Sequence, residues 1–250
     1  KMPSITGIAY KNLRRKKIRS ILTIIGISLS AWVLVSLFGF NRGYENSLNR
    51  DIDNLGFQIL LTAKGCPYEA ATLMLQGSQS LRYMPESTLD SLQADPAVDK
   101  LSPMLMQTAF DINKGEEGGF VAYLGIDPQT YPGMKPYLSF TQGAWFKDKA
   151  AQEAVLGYEV AELEQREVGD LILIPDKEVE VKVVGILERS GTQDDGTIFL
   201  PYKAVQDIFG IPGQLTSIGI KVKRDVDINA YEEKLYSIPD VQVVSMAQVK

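Results

Sequence analysis

The chain has 250 residues, 45% hydrophobic and 23% charged, with 26 basic against 31 acidic side chains and a net charge of −5. That composition is globular and excludes a disordered or collagen-like chain, and the acidic balance argues against a general nucleic-acid binder. Histidine is absent, which removes a Ser-His-Asp or Cys-His catalytic group, an imidazole-held haem and most zinc sites, and the lone Cys66 makes no internal disulfide.

The charge is unevenly placed. Residues 1–19 carry Lys1, Lys11, Arg14, Arg15, Lys16, Lys17 and Arg19 and no acid, +7, which leaves 19 basic against 31 acidic residues, −12, in the rest. Within this leader Ile5, Ile8, Ala9 and Leu13 recur at helical spacing, which fits an amphipathic helix on a membrane surface or a solvated basic leader. Residues 20–41 then hold no charge between Arg19 and Arg42. As a helix this stretch reaches about 33 Å, enough to cross a hydrocarbon core of about 30 Å. A signal peptide would have a shorter apolar run and a small-x-small cleavage site, and a soluble core helix would have a polar face; this stretch has neither. The basic residues Arg14, Arg15, Lys16, Lys17 and Arg19 flank the span and predict a cytosolic N-terminus, with everything after Asn41 outside the cytoplasm. Gly26 and Ser30 lie one turn apart on one face of the span, a small-x-x-x-small pair that allows another helix to approach closely.

Residues 42–250 are predicted to form an α+β extracytoplasmic domain. Leu48, Ile52 and Leu55 are spaced for a helix that continues the span, and residues 57–62 read as a strand broken by 63–67. Residues 70–75 are an apolar run, read as core or as a contact patch. A helix over 85–94 followed by a strand from Val98 is echoed by a strand at 218–222, a helix at 227–237 and a strand at 241–245. Two such strand-helix-strand segments usually share one sheet with helices on one face. Between them, short strands at 120–126, 155–157, 171–174, 179–186 and 197–200 and helices at 158–165 and 202–209 predict an inserted, mainly β subdomain over 108–216. The α/β unit would then comprise 55–107 and 217–250.

The search for chemistry yields little. The chain has no Gly-x-x-x-x-Gly-Lys-Ser/Thr, so any ATP-driven role needs a nucleotide site on another chain. Gly115 to Gly119 form an acidic glycine cluster that would repel phosphate and reads as a hairpin loop. Asp194 and Asp195, beside Gly196, could serve as paired carboxylates but are better read as a polar turn between strands. The sequence predicts no catalytic set, no cofactor and no metal site.

Several blocks together resemble the FtsX-like permeases of ABC transporters. These are the leader Asn12-Leu13-Arg14-Arg15-Lys16-Lys17-Ile18-Arg19 with Gly26-Ile27, then Ala154-Val155-Leu156-Gly157-Tyr158-Glu159, Val168-Gly169-Asp170, Val183-Val184-Gly185-Ile186-Leu187 and Thr197-Ile198-Phe199-Leu200-Pro201. The resemblance implies a permease of the bacterial cytoplasmic membrane whose outer region is a MacB-like periplasmic core domain. It implies an ABC ATP-binding subunit as partner, a homodimer or paired permease in membrane lipid, and three further spans beyond Lys250. It further implies that ATP-driven movement is transmitted to the outer domain for export or release of a lipoprotein, peptide or antibiotic. The rival expectation is a single-span anchored binding or sensor domain.

Overall fold

The computed structural model describes residues 17–54, 56–64, 82–111 and 119–245. The chain divides into two compact units, Lys1–Ile52 and Asp53–Lys250.

The first unit is dominated by helix α1, Lys17–Asn54. No proline interrupts it, and its apolar residues run all round the axis, so it forms without an amphipathic stripe. Ile21–Gly43 is long and apolar enough to cross a membrane. Trp32, Phe38 and Phe40 are among its exposed large side chains, an arrangement that water would penalise and lipid would not.

The second unit is built on one sheet. In chain order its elements are β1 (Ile59–Ala63), β2 (Met84–Pro85), α2 (Ser87–Gln93), β3 (Val98–Asp111), β4 (Gly119–Ile126), α3 (Tyr131–Met134), β5 (Phe140–Gly143) and β6 (Glu153–Leu156). There follow α4 (Tyr158–Glu164), β7 (Leu171–Ile174), β8 (Val179–Leu187), a 3₁₀ turn (Gln193–Gly196), β9 (Thr197–Pro201), α5 (Tyr202–Phe209), β10 (Gln214–Leu215), β11 (Ser217–Val222), α6 (Ile228–Leu235) and β12 (Val241–Ser245). The main sheet has the order β12-β1-β11-β3-β4-β9-β6-β8-β5, with β7 also on β8; β2 and β10 make a separate small ladder. The pairs β4–β9 and β6–β8 are parallel, and the other main-sheet pairs are antiparallel.

Alternation decides which face each strand buries. Along β8, Val181 and Val183 are buried while Glu180 and Lys182 are exposed, and along β7 Ile172 and Ile174 are buried while Leu171 and Leu173 are exposed. Leu92 of α2, Val205 of α5, and Tyr231 and Leu235 of α6 join Ile59, Leu61, Leu105, Ile218 and Ile220 in the larger core. A smaller core holds Met104, Ile126, Tyr131, Phe146, Val155, Leu187 and Phe199.

Mixed α+β architecture is what the sequence predicts, and its second strand-helix-strand segment is present as β11–α6–β12. The expected limit at residue 108 falls inside β3, whose ladder with β4 runs without interruption from Met104↔Ile126 to Asp111↔Gly119. Hydrogen bonding therefore continues across that point, because β3 is long enough to pair β11 with its first half and β4 with its second. Residues 112–118, which hold most of the glycine cluster, lie outside the described residues, as do 70–75.

Candidate functional site

The sequence-predicted residues separate into two groups. Arg14, Arg15 and Lys16 lie outside the described residues, Lys17 opens α1, and Arg19 is within it. Gly26 and Ser30 are one turn apart in α1, where the Ser30 hydroxyl donates to the Gly26 carbonyl at 2.9 Å. That bond satisfies the hydroxyl within its own helix, as a serine in lipid requires. A Cβ placed at Gly26 would meet nothing within 4 Å, so the face is open.

Asp194 and Asp195 form the 3₁₀ turn between β8 and β9, and both are buried. The turn exists because Thr192 caps it: its hydroxyl accepts from the Asp194 N–H. The two carboxylates then have separate duties. Asp195 accepts from the Ser190 N–H at 2.8 Å, the Ser190 hydroxyl at 2.7 Å and the Gly191 N–H at 2.8 Å, which folds the loop on itself. Burial pushes the Asp195 carboxyl up, but these donors and the nearby Arg189 charge outweigh it and hold the group below its ordinary value of 3.8. Asp194 instead reaches across the fold. It accepts from Lys135 Nζ at 2.6 and 2.8 Å, from the Tyr137 hydroxyl at 2.8 Å and from the Thr192 hydroxyl at 3.0 Å. Each of the four carboxylate oxygens accepts at least one hydrogen bond, so both side chains serve to hold the turn.

Backbone approach adds to the constraint. A Cβ at Gly157 would overlap the Asp194 carbonyl oxygen, and the Gly157 N–H donates to the Thr197 carbonyl at 2.9 Å. Only glycine lets the start of α4 lie against this turn.

Next to the turn is the segment that sequence reasoning passed over. Helix α3 has four residues including Pro132 and Gly133, so it carries no periodic signal. Its Tyr131 is wholly buried, edge-on to Trp145 at 6.0 Å and tilted against Phe199 at 5.9 Å. Among the described residues the Tyr131 hydroxyl has no hydrogen-bond partner, and burial, with Asp194 and Tyr137 nearby, raises its pKa far above the ordinary 10.0. Asp127 starts the turn: its carboxylate accepts from the Gln129 N–H at 2.9 Å and from Lys149 at 2.7 Å, and its carbonyl accepts from the Tyr131 N–H. The other end of α3 meets the first described residue after α1. The Gly56 N–H donates to the Met134 carbonyl at 2.7 Å, and a Cβ at Gly56 would overlap the Gly133 carbonyl oxygen.

A cleft of about 510 Å³ borders the Asp127 turn, with Glu86, Asp90, Asp99, Lys100, Asp127 and Lys149 in its wall. Two of its acids are already paired, Glu86 with Lys203 and Asp127 with Lys149, both at 2.7 Å. Burial pushes the Glu86 carboxyl up, yet bonds from Lys203, Gln206 and Tyr202 bring it below its ordinary 4.5. Among the described residues no three His, Cys, Asp or Glu side chains converge to hold a metal.

Comparison with known proteins follows the same outline. The family described as MacB-like periplasmic core domain matches residues 20–238. An uncharacterized ABC transporter permease of Methanocaldococcus jannaschii is 27% identical over 241 residues, and the macrolide export ATP-binding/permease protein MacB of Escherichia coli is 21% identical over 266. These alignments take in 94% and 97% of this chain but 58% and 39% of those proteins, so the chain spans only part of their length. In three dimensions the periplasmic region of MacB from Actinobacillus actinomycetemcomitans superposes with a TM-score of 0.60 at 15% identity, covering 81% of this chain and 95% of that one. The extracellular domain of the noncanonic ABC-type transporter YknZ from Gram-positive bacteria gives a TM-score of 0.54 at 15% identity, covering 75% and 100%.

Proposed function

The chain belongs to the MacB-like periplasmic core domain family of ABC transporter permeases, and from that premise we propose that it converts movement at the membrane into movement of an outer domain. Residues 1–19 are a cytosolic leader, 20–41 the span and 42–250 the extracytoplasmic domain, with 108–216 as the β-rich insert that extends the sheet of 55–107 and 217–250. The cationic leader stays inside because moving it across is costly and the inner leaflet is anionic.

The observation that carries this reading is the continuity of α1. One helix runs from Lys17 through Ile21–Gly43 to Asn54, and only four residues separate it from β1. A helix interior is stiff, so tilting or shifting the span displaces the chain where it enters the domain without new chemistry. ATP is bound and hydrolysed on an ATP-binding component; the MacB of Escherichia coli combines that component and a permease in one protein, as its name states. A second permease copy, packed at the Gly26 and Ser30 face, completes the membrane part. The cargo is a peptide, lipoprotein or antibiotic, and the exposed surface of the outer domain selects it.

Replacing residues 44–46 by Gly-Pro-Gly in the complete transporter breaks the helix just beyond the span. ATP hydrolysis should persist while export falls at least tenfold, a difference of about 1.4 kcal/mol in coupling. Unchanged export with intact hydrolysis would refute the lever.

A further inference from the structure

We infer that α3 is the joint through which displacement of the chain at Gly56 reaches the β8–β9 turn and the strands beyond it. This inference rests on the lever reading of α1 and adds the residues that would carry the motion inside the domain.

Every link lies within the outer unit and is a direct contact. Gly56 is tied to α3 by its N–H bond to Met134 and by a backbone approach that leaves no room for a Cβ against Gly133. Just after it, the Phe57 ring lies over Gly219 of β11, and the Gln58 side chain accepts from the Val222 N–H at 2.9 Å, so the entering chain is anchored to the sheet as well. Lys135, the residue after Met134, carries the link onward from that same end of α3. Its N–H closes α3 on the Tyr131 carbonyl, and its ammonium is fixed on Asp194 with side-chain exposures of only 19% and 6%. Tyr137 adds a second bond to the same carboxylate, and the Asp194 carbonyl in turn presses on Gly157. After Tyr137 the chain becomes β5, which pairs with the end of β8, where Ser139 and Glu188 also bond at 2.6 Å.

A one-turn helix with buried Tyr131 and Met134 and no slack at either end moves as a body. A buried, multiply bonded ion pair is stiffer than the exposed pairs elsewhere on the surface, because few alternative partners exist for either charge. Ordinary packing would hold α3 in place too, but it would not make the Gly56 contact depend on the Asp194 carboxylate, which reaches that end of the helix only through Lys135 and Tyr137. That dependence separates the two accounts.

The test is amide hydrogen exchange in the full-length transporter in lipid nanodiscs, comparing the wild type with Lys135→Met, Asp194→Asn and the milder Tyr137→Phe. For the first two, the Gly56 amide should exchange roughly tenfold faster, and a few-fold faster for Tyr137→Phe, while amides of β12 keep their wild-type rates. An unchanged Gly56 amide in the variants that fold, or an equal rise at Gly56 and β12 in Tyr137→Phe, overturns the joint. The lever reading is decided separately, by whether a spin label at Glu162→Cys in a Cys66→Ser protein, otherwise wild type, responds to ATP. A label that stays still sinks the lever without touching the exchange result. A label that responds equally in the wild type and in Lys135→Met sinks the joint and leaves the lever.

Discussion

Two corners of the outer domain use the same chemistry to different ends. At the first, α2 is held at both ends by ion pairs: Glu86 before it takes Lys203 and Gln206 of α5, and Asp95 after it takes Lys234 and Tyr231 of α6. Those lysines are 40% and 63% exposed, so water screens the charges and each pair is worth little. At the second, Lys135 and Asp194 are largely out of water, and breaking the pair strands a charge. The first corner fastens helices that the larger core already positions; the second ties Lys135, just after a four-residue helix seated in the smaller core, to a carboxylate 59 residues on in the sequence.

The contrast should be widest at the backbone. Gly157→Ala forces a Cβ into the Asp194 carbonyl and should destabilise the domain by more than about 3 kcal/mol, read from denaturant unfolding; a loss below about 1 kcal/mol would mean that the turn yields easily. Asp194→Ala leaves the Lys135 ammonium half-enclosed without its partner and should cost about 2–4 kcal/mol. Lys203→Met and Lys234→Met should each cost under about 1 kcal/mol. If those variants cost as much as Asp194→Ala, burial does not distinguish the corners.

Acid provides a reagent-free version of the same comparison. The Lys234 bond, against the opposing effect of burial, holds the Asp95 carboxyl below its ordinary 3.8, and Glu86 and Asp195 are likewise held down. Depressed carboxylates stabilise the fold above their unfolded pKa and lose that contribution as pH falls through the folded value. The melting temperature should therefore be nearly level between pH 7 and 5 and decline below about pH 4; a decline beginning near pH 6 would point to other groups. The smallest effect belongs to Tyr131→Phe, which removes a buried hydroxyl with no partner among the described residues. It should be neutral or stabilising by up to about 1 kcal/mol.

Much of this architecture could be read in advance where local signals were long or repeated. Helix α5 matches the expected 202–209 and β12 the expected 241–245, because a periodic apolar face or a Val-rich run is bounded by turn residues at each. The alternation of Val181 and Val183 with Glu180 and Lys182 by itself marks which face of β8 is buried. What escaped was short or non-local. β5 is four residues ending at Gly143, and α3 looks like a Pro-Gly turn. β3 begins at the expected Val98, but its fourteen-residue length carries no local signal, and Pro103 sits in register opposite Ile218. The Asp194 pair was recognisable as a polar turn, but its partner lies 59 residues away, and nothing local marks Lys135. The aromatic group of Tyr131, Trp145 and Phe199 is likewise assembled only by the sheet order.

The most direct measurement is cysteine accessibility across the membrane in a Cys66→Ser background, with any outer membrane permeabilised. Glu159 is exposed on α4 and Lys11 belongs to the basic leader. A membrane-impermeant maleimide should label Glu159→Cys in intact cells and Lys11→Cys only after lysis. The reverse pattern would put the domain in the cytosol and contradict the account.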